Sequence, residues 1–133
     1  MKISQFIKKH RLRIECELTD RNPNMADDEW ARTATHWECV IKRGRDRMTV
    51  HFSQGPAVVH EPEIDEVLDS LASDAAGYLN ARDFDDWASE YGYDTDSRRA
   101  ERIFNAVGEQ VTDLRRLLGQ QALQELAFKT ERL

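Results

Sequence analysis

Cys16, Cys39 and the four histidines are the residues of this 133-residue chain with the chemistry for a metal or thiol centre. Their positions argue against one. Leu12, Ile14, Cys16 and Leu18 alternate with Arg13, Glu15 and Glu17, and Trp37, Cys39 and Ile41 alternate with polar neighbours between His36 and Lys42. Successive side chains of a strand take opposite faces, so both cysteines fall on the apolar side while His51 falls on the other. Neither a CxxC nor an HExxH spacing is present. The expectation is two buried structural thiols, no metal and no cofactor. A cross-strand Cys16–Cys39 bond fits the geometry, but a reducing cytosol opposes it.

Carboxylates are abundant, and that abundance removes their information. A glycosidase pair could be drawn from a dozen acids, so no pair stands out. Asp94-Thr95-Asp96-Ser97 resembles the start of a calcium loop, but the glycine and the distal glutamate of such a loop are missing. A helix cap, with Asp94-Thr95-Asp96 at the positive end of the helix dipole, accounts for these acids. Gly44 and Gly55 are lone turn glycines without a phosphate-loop pattern. No catalytic signature is found, and the chain is read as a binding protein rather than an enzyme.

The charge distribution is more informative. Between Glu61 and Asp96 stand twelve acids and one base, Arg82, while the residues on either side carry an excess of bases. Helical spacing puts Ile64, Val67, Leu68 and Leu71 on one stripe, which turns Asp65, Glu66 and Asp69 away from it. Phe84 and Trp87 do the same for Asp83, Asp85, Asp86 and Glu90. These seven carboxylates are the candidate partner-binding residues. A single-sign face repels itself, and natural surfaces more often intersperse both signs. A basic partner would remove that cost, the bland alternative being a solvated face that confers solubility. The formal charge of −6 disfavours general nucleic-acid binding. An alternative nucleic-acid contact would use Arg43, Arg45 and Arg47 on the hairpin, unless these three are a solvated tip.

The elements that position these residues follow from periodicity. Ser4 is expected to cap a short helix over Gln5 to His10, with Ile3, Phe6 and Ile7 on one face. Three strands follow, carrying Leu12 to Leu18, His36 to Lys42 and Arg47 to Ser53, the last two joined by a turn at Gly44. Residues 19–35 read as a long polar loop, in which Trp30 is a plug on the core edge or, alternatively, an exposed anchor. Ala57 to His60 is a short extended passage. Helices are expected from about Ile64, over Phe84 to Tyr91 with Gly92 as stop, from the Asp94–Asp96 cap to Gly119, and from Gln120 onward, fraying after Lys129. Trp87, Phe104 and Phe52 are expected to be buried in one core beneath the sheet. The order implies one α+β domain over 1–133: a short N-terminal helix and a three-stranded antiparallel sheet (1–60), one face covered by a C-terminal set of helices (61–133). The same order occurs in the double-stranded-RNA-binding domain, but the helix after the third strand opens Glu61-Pro62-Glu63, where that domain needs lysines. No stretch reads as a signal peptide or a membrane span, which places the protein in the cytosol.

The strings Leu71-Ala72-Ser73-Asp74-Ala75-Ala76-Gly77 and Phe84-Asp85-Asp86-Trp87-Ala88-Ser89-Glu90-Tyr91-Gly92-Tyr93-Asp94-Thr95-Asp96-Ser97-Arg98, with Ala100-Glu101-Arg102, resemble a family of small acidic accessory proteins of tailed phages and prophages. The Met48-Thr49-Val50-His51-Phe52-Ser53 strand and the Asn22-Pro23-Asn24-Met25 loop resemble it too. The resemblance implies a phage accessory gene product working in the host cytoplasm. By analogy with anti-CRISPR and antirestriction proteins, some of them DNA mimics, it implies an inhibitor of a host defence component. It assigns no activity to any residue.

Overall fold

Period-2 and period-3.6 hydrophobicity divide the chain where the computed structural model does. The structure describes residues 1–58 and 60–133. Its elements are α1 (Ile3–His10), β1 (Leu12–Thr19), α2 (Glu29–Thr33), β2 (Thr35–Arg43), β3 (Asp46–Gln54), α3 (Ile64–Asn80), α4 (Phe84–Glu90), α5 (Arg98–Leu118) and α6 (Gln120–Lys129). The strands form an antiparallel sheet in the order β1-β2-β3, giving the expected α+β architecture. Gly44 takes φ +60° at the first central position of the two-residue β2–β3 loop, as a type II′ hairpin turn requires. Among the described residues no helix is long and apolar enough to cross a membrane.

Burial follows alternation. Leu12, Trp37, Cys39, Ile41, Met48 and Val50 point from the sheet into a core closed by Val67, Leu71, Leu114, Leu123 and Leu126 of the helices. Trp87 is buried and sits 5.2 Å from Phe104, ring centre to ring centre. Phe104 and Phe52 are only partly covered, each at the margin of the core. On the other, more open face Arg13, Glu15, Glu17, Arg47 and Thr49 stand exposed, while His36 at its far end is buried against Ala31 of α2.

Several local expectations are corrected. Helix α1 begins two residues earlier than a Ser4 cap allows, because the Lys2 N–H donates to Gln5 Oε1 at 2.8 Å and Lys2 takes the capping position. Leu18 ends an edge strand beyond the reach of the helices and is 67% exposed despite its inward phase. The 19–35 segment is not all loop: Asp28 caps α2 by accepting the Ala31 N–H at 2.9 Å. Trp30 on that helix is 47% exposed, not a plug. The cap of α5 is Ser97, whose Oγ accepts the Ala100 N–H at 3.1 Å; Asp94 instead closes the preceding turn by accepting the Asp96 N–H. The C-terminal residues do not fray, since the Glu131 N–H donates to Met1 O at 2.7 Å and the Arg132 guanidinium to Ala127 O at 2.8 Å. The passage expected to be extended from Ala57 to His60 opens in a turn instead, closed by the Val58 N–H donating to Gly55 O at 3.0 Å, and its Val59 lies outside the described residues.

Cys16 and Cys39 are the largest departure. They are directly opposed in the β1–β2 register and are joined as a disulfide. The expectation of two free thiols came from the redox chemistry of a compartment, whereas the pairing comes from register, which brings the two sulfurs together.

Candidate functional site

The seven candidate carboxylates do not form one face. Helix α3 has 17 residues, about 25 Å of axial length. Asp65, Glu66 and Asp69 occupy its first turns, while Asp83, Asp85, Asp86 and Glu90 follow its end on α4. The structure therefore makes two acidic clusters rather than a continuous array. Asp83, Asp85 and Glu90 are exposed; Asp65, Glu66, Asp69 and Asp86 are half-buried.

Five of the seven accept a backbone N–H. Asp65 Oδ1 accepts from Glu66 at 2.9 Å, Glu66 Oε1 from Glu63 at 3.5 Å, and Asp69 Oδ1 from Leu133 at 2.9 Å. Asp83 caps α4 by accepting the Asp86 N–H at 2.9 Å. Asp86 Oδ2 accepts the Arg82 N–H at 3.0 Å, and that bond, aided by the Arg82 charge, holds its carboxyl below the usual range. These acids terminate helices and tie down the C-terminal residues. Asp85 and Glu90 have no such bond among the described residues, and neither does Asp96 beside them. With the exposed Asp94 they form the accessible part of the α4 cluster.

Asp74 belongs to neither cluster. It lies three residues after Leu71 and seven after Val67, on the apolar stripe, a placement legible in the spacing. Its carboxyl is desolvated, which raises its pKa, and the Gln110 amide opposes that rise by donating to Oδ2 at 3.2 Å. Gln110 Oε1 in turn accepts from Asn24 Nδ2 at 2.6 Å, so the 22–24 loop is tethered to α5. Asn22 Nδ2 donates to Ser53 Oγ at 3.0 Å, which also bonds His36 Nδ1 at 2.6 Å.

A cleft of about 880 Å³ opens between this loop and the start of α5, with Arg21, Arg32, Arg99 and Arg102 among its lining residues. His36 reaches its wall, but both ring nitrogens are occupied, Nε2 by Ala31 O at 2.6 Å. That ring holds the loop and has no free nitrogen for proton transfer. Among the described residues no group of three or more His, Cys, Asp or Glu is arranged to hold a metal ion.

The three hairpin arginines are separated by phase. Arg43 shares the inward face with Ile41, and its guanidinium donates to Leu117 O and Leu118 O at 3.2 and 3.1 Å, closing the C-terminus of α5. Arg45 projects from the turn and Arg47 from the open face of the sheet, both exposed. Arg43 is thus a structural cap, which its position two residues after Ile41 already indicates. Compared with known protein families, curated proteins and solved structures, the chain matches none.

Proposed function

We propose that the protein is a non-enzymatic accessory protein of a phage or prophage that inhibits a host defence complex of the anti-CRISPR or antirestriction type. Its α4 end lies on a basic, nucleic-acid-binding surface of a host protein, in the host cytoplasm. The observation that carries this is the accessible α4 cluster. Asp85, Glu90, Asp94 and Asp96 are exposed within a short helix and the loop after it, and the one base of the segment, Arg82, is engaged by Asp86. Asp86 and Glu90 also stand four residues apart on α4, a like-charge spacing that weakens a helix. A cationic groove would relieve that repulsion and speed encounter.

The test uses Asp85→Lys, Glu90→Lys and Asp96→Lys together, because none of these side chains accepts a hydrogen bond among the described residues. Asp65 and Asp69 are unsuitable, since reversing them would also break backbone bonds. The tagged chain is used to capture proteins from a host lysate, read by mass spectrometry. The expected result is a nucleic-acid-binding protein held by the native chain and lost with the folded triple variant, most sharply at low salt. Undiminished capture at low salt by that variant would reduce the acidic cluster to solvation.

A further inference from the structure

The opposite end of the molecule carries the complementary charge in an ordered form. Register pairs Arg13 with Lys42 and Lys42 with Arg47, so three bases occupy one row across all three strands on the open face of the sheet. Strands lie about 4.8 Å apart, which makes this a line of cations about 10 Å long. Like charges directly opposite each other destabilise a sheet. Glu15 offsets part of this by pairing with Lys42 at 2.8 Å, and all three bases depress its pKa, led by the Lys42 hydrogen bond. Arg13 reaches the turn carbonyl of Gly44 only at 3.4 Å, and Arg45 and Arg47 have no ion-pair partner among the described residues. Arg116 lines a small cleft beside Arg47, where it is shared with Asp113.

We infer that this row, extended by Arg45 at the hairpin tip, is a binding surface for the phosphate backbone of a nucleic acid. The cations form a line rather than a patch, which suits a linear polyanion, and three of these four are arginines, whose planar fork matches phosphate oxygens. The row lies on the open face of the sheet, with the small Arg47–Arg116 cleft at its β3 end. Its cations are expected to meet phosphate oxygens rather than base edges, so binding should be independent of sequence and dependent on salt. The net charge of −6 does not forbid this. Helix α5, about 30 Å long, separates the acidic residues before its start from the hairpin docked at its end, well beyond a Debye length at physiological salt.

The measurement is fluorescence anisotropy of a labelled oligothymidine and a labelled DNA duplex with the purified full chain, over a salt series. No other protein is present, so the outcome is independent of the acidic-end proposal. Binding should weaken with salt at a slope of log K on log salt of about −2, as for three free cations on a single strand. Arg13→Glu with Arg47→Glu should weaken it by more than about tenfold at low salt. Arg47→Glu alone should lose affinity while its melting temperature stays equal or rises, because a glutamate opposite Lys42 turns a repulsive pair into an attractive one. A purely structural row would instead lose stability together with binding. Absence of binding at low salt, or unchanged binding by the double variant, would overturn the inference. So would equal affinity for phosphatidylglycerol vesicles. Salt-sensitive self-association of the chain alone, abolished by the same substitutions, would assign the row to the acidic end of a second copy and overturn it too.

Discussion

Asp74 is the residue whose chemistry is least like that of its neighbours. Desolvation lifts its folded pKa above its ordinary value, against the Gln110 hydrogen bond that lowers it. The folded chain therefore holds this proton more tightly than the unfolded chain does. Its contribution to stability falls as pH rises from about 4 through the folded pKa, and the native state carries the cost of a desolvated carboxylate above it. Asp74→Asn keeps an oxygen for Gln110 and removes the charge. It is expected to raise the melting temperature at pH 7, with the gain shrinking toward pH 3–4 where both chains are neutral at this site. A variant less stable than the native chain at both pH values would show that the carboxylate is needed for the tether to Asn24. Asp74 could be taken from the acidic list on spacing alone, and Arg43 from the hairpin trio on strand phase. The bond from Leu133 to Asp69 could not be anticipated, because residues 64 apart in sequence meet only once α6 has packed.

At the scale of elements, alternation and helical period locate the strands and five of the six helices, since each buries a continuous stripe. Short-range competition decides what they miss. Helix α2 is five residues capped by Asp28, too short to show a period, and Ser97 takes the cap of α5 because the turn at Asp94 brings it to that position. Alternation also puts Cys16 and Cys39 on the same side, but only register makes them opposite. The disulfide spans 23 residues of sequence, so the chain-entropy model gives it about 3 kcal/mol. Denaturant unfolding with and without reductant should differ by that amount, and identical curves from oxidised protein of verified mass would contradict it. The α4–α5 contact rests on Trp87, packed against Phe104 and stacked on Tyr93 at 5.4 Å. Trp87→Ala is expected to cost about 3–5 kcal/mol, read as a lower denaturation midpoint. An unchanged midpoint would mean that α4 contributes little to the core.

At the scale of the whole molecule the chain is charge-polarised: an accessible acidic cluster around α4, a row of bases at the hairpin, and α5 between them. The asymmetry of composition between Glu61–Asp96 and the flanking residues foreshadows this, while the split into two acidic clusters and the ordered row of bases require the fold. The central claim is that the acidic end occupies a groove that otherwise holds nucleic acid. The direct measurement is displacement: a labelled duplex bound to the captured host protein, titrated with the chain carrying Arg47→Glu to suppress its own affinity for the probe. The duplex should be released stoichiometrically, and the same chain carrying Asp85→Lys, Glu90→Lys and Asp96→Lys should release none. Binding of the chain to the host protein with the duplex still in place would contradict the account.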